Sequence, residues 1–438
     1  MKKVLVISYY FPPAGGPGVQ RWLKFVKYLR DEGYEPVLYV PQGAAYPVTD
    51  ESLAAEIPPG LTIHRGHIIE PSSVFSSGKK ISAGFIDASS GKKGWKSRLM
   101  TWVRANVFIP DARMLWIRPS VRRLKKILRE EGIDTLISTG PPHSTHLIAL
   151  GLKRADPHLQ WIADFRDPWT KIDYFHHLPL TRWARRRHFR LESEVLAQAD
   201  QVIVVTPSMA RDYRPRVRGR LHVITNGYDT EDLPDSPPPL DEKFTLCHVG
   251  SLNADRNPYE LWEVLARLRA QDPAFRNDLR ICLTGNVSPA VFETLRKNGL
   301  DDCVQHIPYA PHAQVVRSQH AARVLLMLMN RTPDGALYIA GKLFEYLAAA
   351  RPILLVGFAH SDAADILREC QAGYALDFSD RKGLEEALRS LYREYRLGQD
   401  TGRKVSPQSE KYTRRALTAR LAREVLACPA EHPSPEES

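Results

Sequence analysis

The chain has 438 residues, with 61 lysines and arginines against 50 aspartates and glutamates, a formal net charge of +11. That length exceeds one ordinary core and implies two large domains or three small ones, while the excess charge implies an anionic partner such as nucleic acid, phospholipid or a phosphorylated substrate. Five scattered cysteines, Cys247, Cys282, Cys303, Cys370 and Cys428, form no Cys-x-x-Cys, which argues against a disulfide framework or a zinc site and fits a reducing compartment.

The opening MKKVLVISYYFPPAGGPG imitates a signal peptide, but its apolar run is short and ends in Pro-Pro without a small-residue cleavage site, so a first strand is expected. No apolar stretch reaches the roughly 18–20 residues that cross a bilayer. A cytoplasmic protein is expected, at most attached to the inner face of a membrane. Buried-strand runs at 3–8, 36–40, 134–138, 160–164 and 201–205 alternate with amphipathic helical stretches. A second series follows at 244–249, 279–284, 304–307, 324–328 and 353–356. Such alternation predicts doubly wound α/β domains, each with a parallel sheet. The segment DTEDLPDSPPPLDEK, 229–243, between the series reads as an exposed linker. Residues 71–98, rich in Ser, Gly and Lys, read as a long loop, 410–427 as helical, and the closing EHPSPEES as a disordered tail.

Ligands of parallel α/β sheets bind at the carboxyl ends of strands, so the residues there carry the functional reading. After the first strand, Gly15, Gly16 and Gly18 permit positive φ and close approach of backbone N–H groups to a phosphate. A tight turn would use the same glycines, and the spacing is not the dinucleotide fingerprint. STGPPHSTH, 138–146, places His143 at a strand end to meet a sugar hydroxyl, with His146 packing on the following helix. DFRDPW, 164–169, offers Asp164 and Asp167 for catalysis or an acceptor and Trp169 for sugar stacking, or else an Arg-Asp pair that orders a loop.

In the second half, HVGSLNADRNP offers the N–H groups of Gly250 and Ser251 and the guanidinium of Arg256 for a diphosphate. Gly285 and Asn286 in LTGN, and Tyr309 in IPYA, end later strands where a nucleobase would lie. RTPDGALYIAGKLFEYLAAARPILL sets Gly341, Lys342 and Leu343 at the start of a helix, a place suited to phosphate, with Glu345 one turn on to accept from sugar hydroxyls. No carboxylate pair of metal-ligand spacing lies near these residues, so no metal is expected. Basic runs at 92–98, 122–129 and 182–190 are either solvated helix faces or an anion-binding surface. With no zinc-finger spacing, RNP pattern or basic tail beside them, nucleic acid is not the expected partner.

Over nearly the whole chain, through FPPAGGPG, STGPPHS, DFRDPW, TNGYD, GKLFEYLAAARPIL and KYTRRALTARLA, the sequence resembles the retaining GT-B glycosyltransferases of family 4 (glycosyl transferases group 1). The resemblance implies two Rossmann-like doubly wound domains facing each other across a cleft: an acceptor domain, 1–230, and a nucleotide-sugar donor domain, 231–405. A helix at 406–428 would cross back to the first domain, ahead of a tail at 429–438. It implies that Glu345 binds the ribose, that Arg256 and Lys342 hold the diphosphate as it departs, and that Gly15 and Gly16 face the donor phosphates. His143 would orient the sugar, and Asp164 or Asp167 would contact the acceptor hydroxyl. The expected partners are a nucleotide-diphosphate sugar, as substrate with no cofactor, a glycan or lipid-linked acceptor, and an anionic membrane touched peripherally. Bacterial cell-surface polysaccharide or glycolipid synthesis is the expected setting. Two departures stand out: Leu337 occupies the place of the family's first glutamate, and Arg256 is preceded by Ser251 rather than by part of an Arg-then-Lys pair. A catalytically silent subunit and a nucleotide-sugar epimerase of the same fold are the alternatives.

Overall fold

Runs of Val, Ile and Leu bounded by Gly, Pro and polar residues become strands because both faces of a parallel sheet are covered by helices. The computed structural model describes residues 1–46, 48–70, 95–172, 175, 178–308, 310–399 and 405–428. It divides into two compact units, Met1–Thr225 with Arg414–Ser438, and Asn226–Thr413.

In the first unit the strands are β1 (Lys2–Ile7), β2 (Tyr34–Gln42), β3 (Thr62–His67), β4 (Thr135–Gly140), β5 (Gln160–Phe165), β6 (Gln201–Val204) and β7 (Arg220–Val223). They form one sheet in the order β3-β2-β1-β4-β5-β6-β7, parallel throughout. Along β1 the side chains alternate between two cores, Val4 and Val6 on one face and Leu5 and Ile7 on the other, as the two-residue period of a strand dictates. The helix Arg414–Arg420 and the π-turn Leu421–Leu426 close one face. Leu417, Leu421 and Val425 pack with Trp22, Leu23 and Val26 of the helix Pro17–Leu29. Gln201 Nε2 also donates to the Val425 carbonyl at 2.9 Å.

The second unit has β8 (Phe244–Val249), β9 (Leu279–Thr284), β10 (Val304–Ile307), β11 (Val324–Leu328), β12 (Ile353–Gly357) and β13 (Gly373–Asp377). Their order is β10-β9-β8-β11-β12-β13, again parallel. In each sheet the chain reverses direction of travel beside its first strand, between β1 and β4 and between β8 and β11. Those are the topological switch points where such sheets take ligands.

Every strand expected from the sequence is present, and β3, β7 and β13 were not expected. All three are edge strands with largely half-exposed side chains, so they lack the continuous apolar run that marks an interior strand. The break between units falls at Thr225–Asn226, ahead of the proline- and aspartate-rich segment. Tyr228 is buried against the second unit, and its N–H donates to the Tyr412 carbonyl at 3.1 Å. The final helix begins at Arg414, after a 3-10 segment, Pro407–Tyr412, that stays with the second unit. Of the expected loop at 71–98, residues 71–94 lie outside the described residues and 95–98 instead begin the helix Trp95–Asn106; the expected tail at 429–438 also lies outside the described residues. Among the described residues no helix is long and apolar enough to cross a membrane.

Candidate functional site

In the second unit the loops after β8 and β9 are shaped by two glycines. Gly250 has φ +105° and Gly285 φ +122°, and a Cβ on Gly285 would lie 2.6 Å from the Gly250 carbonyl oxygen. Only glycine allows both loops to close together. They are stitched in place by Gly250 N–H to the Thr284 carbonyl (2.7 Å) and Gly285 N–H to the Ile307 carbonyl (2.8 Å).

Lys342 is the first residue of the helix Lys342–Ala348, with Gly341 preceding it in helical conformation. Its amine donates to the Val249 carbonyl at 2.7 Å, beside Gly250. Tyr346, one turn on, accepts from the Val249 N–H at 3.0 Å, so the end of β8 is gripped at both of its polar groups. Burial, and secondarily the positive charge of Arg256, bring the Lys342 pKa down to about 7, with Glu345 opposing. A neutral carbonyl compensates this amine poorly. An incoming anion would do so far better.

Arg256 is partly buried and held by Nε to Asn330 Oδ1 (2.9 Å) and by one terminal nitrogen to the Ser251 carbonyl (3.0 Å). Those contacts bridge the loops after β8 and β11, on the two sides of the switch point. Glu345 is partly buried, and one of its oxygens accepts from Gln319 Nε2 at 3.1 Å. Leu343 is buried core rather than a ligand-facing residue. Ser251 and Asn286 are exposed, and their carbonyls serve Arg256 and the Leu252 N–H. Leu337 ends a short 3-10 turn, Gly335–Leu337. Tyr309 lies outside the described residues. Gly250, Arg256, Gly341, Lys342 and Glu345 are thus gathered at the carboxyl end of the second sheet. His248, missed by sequence reading, lies fully buried on β8 with Nδ1 3.0 Å from the Leu326 carbonyl, and burial pushes its pKa well below normal.

In the first unit three of the expected site residues, Asp164, His143 and Trp169, are buried. Asp164 is fully buried and cannot meet an acceptor. Its two oxygens take hydrogen bonds from Arg21 (2.9 and 3.2 Å), Trp22 Nε1 (2.7 Å) and Thr139 Oγ1 (2.9 Å). Arg21, itself buried, also donates to the carbonyls of Ile224 (2.9 Å) and Thr225 (2.7 Å). Asp164 therefore anchors the helix Pro17–Leu29 to β5, and its ion-pair partner is a residue far away in sequence. Burial alone would raise its pKa. Arg21, with Trp22 and Thr139, holds it below the ordinary carboxylate value.

His143 is likewise enclosed. Its ring stacks on Trp169 at 4.3 Å with 2° between planes, and neither nitrogen has a hydrogen-bond partner among the described residues. Burial, then the neighbouring His146, His188 and Arg166, press its pKa well below normal, so the ring is neutral. Trp169 is only 2% exposed and donates to His188 Nδ1 at 3.1 Å, so it packs and does not present a face to sugar. His146 packs on Phe165 and pairs with Ser138 Oγ at 2.9 Å. Arg166 fastens the loops together by donating to the Gly18 and Pro141 carbonyls. Gly15 donates to the Val48 carbonyl at 2.9 Å, and Gly16, exposed, has φ +90°. Asp167, partly buried beside Arg166, is the carboxylate of this motif that remains at the edge of the loop.

On the helix Arg182–Gln198, the arginines at 182, 185, 186, 187 and 190 are exposed together with Trp183 and Phe189. The run at 122–129 lies on a helix with its apolar residues inward, an ordinary solvated face. Of the run at 92–98, residues 92–94 lie outside the described residues. Among the described residues no group of three or more His, Cys, Asp or Glu side chains is placed to hold a metal ion.

Two parallel Rossmann-like sheets of this order define the GT-B fold, and comparison with solved structures agrees. Sucrose-phosphate synthase from Thermosynechococcus elongatus superposes with a TM-score of 0.64 at 13% identity, over 98% of this chain and 100% of that one. WaaG, a glycosyltransferase involved in lipopolysaccharide biosynthesis, gives 0.54 at 14% identity over 96% and 94%. A Listeria monocytogenes structure described as a UDP-N-acetylglucosamine 2-epimerase gives 0.54 at 10% identity over 96% and 95%. Residues 18–232 match the model of Glycosyltransferase Family 4. No curated protein matches the sequence. The family match and the shared fold together support a glycosyltransferase.

Proposed function

We propose that this protein transfers a sugar, with retention at the anomeric carbon and without a metal ion, from a nucleotide-diphosphate sugar to a glycan or lipid-linked acceptor. The observation that carries this reading is the partly buried Lys342 amine, satisfied among the described residues only by a neutral carbonyl and set near Arg256 at the switch point of the second sheet. In the reaction the bond between the anomeric carbon and the phosphate oxygen breaks, and its electron pair leaves with the diphosphate. The acceptor hydroxyl oxygen forms the new bond and gives up its proton to the departing diphosphate oxygen. Lys342 and Arg256 stabilise the negative charge that gathers on the departing diphosphate, where preorganised donors lower the barrier most. Glu345 accepts from the ribose hydroxyls, and Gly250 lets the backbone approach the phosphates.

On the acceptor side, Asp167 is the carboxylate assigned to the hydroxyl, and Asp164 and His143 are given no substrate contact. The exposed arginines at 182–190, with Trp183 and Phe189 among them, suit peripheral contact with an anionic membrane carrying a lipid-linked acceptor. Cell-surface polysaccharide or glycolipid synthesis is the setting this implies.

The test is a panel of nucleotide sugars, each assayed for nucleoside diphosphate release with and without acceptor after exhaustive chelation. Acceptor-dependent release from one donor is the expected result. Turnover without acceptor to an epimeric sugar would make the protein an epimerase, and failure to bind any member would make it a silent subunit. A strict requirement for added magnesium or manganese would overturn the metal-free site.

A further inference from the structure

The second sheet has another polar end. At the amino ends of β8, β9 and β10, a cavity of about 870 Å³ is lined by Lys243, Arg269, Arg276 and Arg280, with Asp302 as its only carboxylate. That volume falls within the range of small-molecule sites. The strands between this end and the Lys342 cluster are about six residues long, so the two places lie roughly 20 Å apart.

Most charged groups at this corner are already engaged. Asp302 is held by Arg269 through two bonds, 2.8 and 2.6 Å, and Arg269 also donates to the Gly299 carbonyl at 2.7 Å. Arg269 is 8% exposed, and its Nε is buried without a partner. Nearby, Asp278 accepts from Tyr392 (2.8 Å) and Arg396 (3.1 Å), and Asp272 caps the helix Pro273–Asp278 through the Ala274 and Phe275 N–H groups. Lys243 donates to the Asn277 carbonyl at 2.7 Å. Arg276 and Arg280 remain exposed, and neither side chain makes a hydrogen bond or salt bridge with any described residue. With Asp302 neutralised by Arg269, the lining keeps three cations and no free carboxylate. Evenly solvated surfaces intersperse charges of both signs, and concentration of one sign in a concavity raises the local concentration of the opposite ion.

We propose that this cavity is a second anion site, for a compact phosphate ester or diphosphate bound by Arg276, Arg280 and Lys243 above the fixed guanidinium of Arg269. The site is separate from the nucleotide-sugar site and does not depend on it. Guanidinium groups suit the ligand because their planar donor forks pair with phosphate oxygens in a bidentate manner.

The experiment is calorimetric titration of the full chain with pyrophosphate at about 0.15 M salt, where diffuse attraction is screened beyond roughly 8 Å. Three proteins are compared: wild type, Lys342→Met, and Arg276→Ser/Arg280→Ser. Pyrophosphate binding should survive Lys342→Met, and the component that survives there should weaken at least about tenfold in the double variant, since each lost charged hydrogen bond is itself worth that much. Both replaced side chains are exposed, so the double variant should melt with the wild type. Its nucleotide-sugar affinity should be unchanged. Equal pyrophosphate binding by wild type and double variant would overturn the proposal, as would binding that disappears with Lys342→Met alone or that is absent from the wild type. Loss of nucleotide-sugar binding by every protein would count against the donor site and leave this site standing.

Discussion

Replacing Asp164 by Asn separates a structural role from a catalytic one. The carboxylate faces Arg21, Trp22 and Thr139 with no exposure to solvent. An amide of the same shape keeps one acceptor oxygen but, whichever way it is turned, points an NH2 group at an Arg21 nitrogen that has no lone pair to offer. It also leaves the buried Arg21 charge without its counter-ion. Removing one partner of a buried ion pair costs about 3–5 kcal/mol. A unit of this size shifts its melting temperature by about 2–4 °C per kcal/mol, so the first unit should melt roughly 6–20 °C earlier. Differential scanning calorimetry, with near-ultraviolet circular dichroism following the Trp22 environment, reads the change. Nucleotide-sugar affinity, which depends on the other unit, should hold below the new transition. The depressed pKa adds a pH signature: the stabilisation by Asp164 is complete above the ordinary carboxylate value near 4 and is lost as pH falls through the lower folded value. The variant should show a correspondingly flatter acid limb. Unchanged melting with abolished transfer would refute this assignment and return Asp164 to the chemistry.

Several residues of the second unit give independent checks. Glu345→Gln should weaken nucleotide-sugar binding about tenfold with the fold intact, because charged hydrogen bonds are worth about 1.5–3 kcal/mol; equal calorimetric affinity would remove it from the site. The Lys342 pKa near 7 makes binding pH-dependent, and a diphosphate ester keeps constant charge in this range. Affinity should therefore fall as pH rises through about 7 and the amine loses its proton, whereas a flat profile from pH 6 to 9 would contradict the role. Gly285→Ala forces a Cβ to 2.6 Å from the Gly250 carbonyl at φ +122°, so it should cost about 1–3 kcal/mol in thermal unfolding. For the first unit, changing Arg185, Arg186 and Arg187 to Ser should reduce cosedimentation with anionic vesicles, each residue contributing about 1 kcal/mol near such a surface. Equal partitioning onto neutral and anionic vesicles would leave these arginines as plain surface.

The interior of both sheets was legible in sequence because an interior parallel strand must be apolar on both faces, and 244–249 or 353–356 show that directly. Edge strands β3, β7 and β13 escaped because half-exposed positions admit polar residues and dilute the pattern. Motif position was legible too: a Gly-Lys pair before an apolar run places Lys342 at a helix start. Pairing across long sequence separations was not. Nothing in DFRDPW says that Asp164 belongs to Arg21, since that partnership arises only when the helix Pro17–Leu29 lies across β5. The burial of Trp169 and His143, both offered for sugar, was illegible for a related reason. Their rings stack on one another inside the first unit, and burial is a property of the assembled layers that two aromatic letters do not carry.

The most direct test of the donor site is equilibrium binding of a nucleotide-sugar panel to wild type, Lys342→Met and Arg256→Met, measured by calorimetry at pH 6.5. The wild type should bind at least one nucleotide sugar, and each variant should bind it at least about tenfold more weakly, as expected for loss of a charged hydrogen bond to phosphate. Equal affinity in all three proteins, or no binding by the wild type to any member of the panel, would contradict the account.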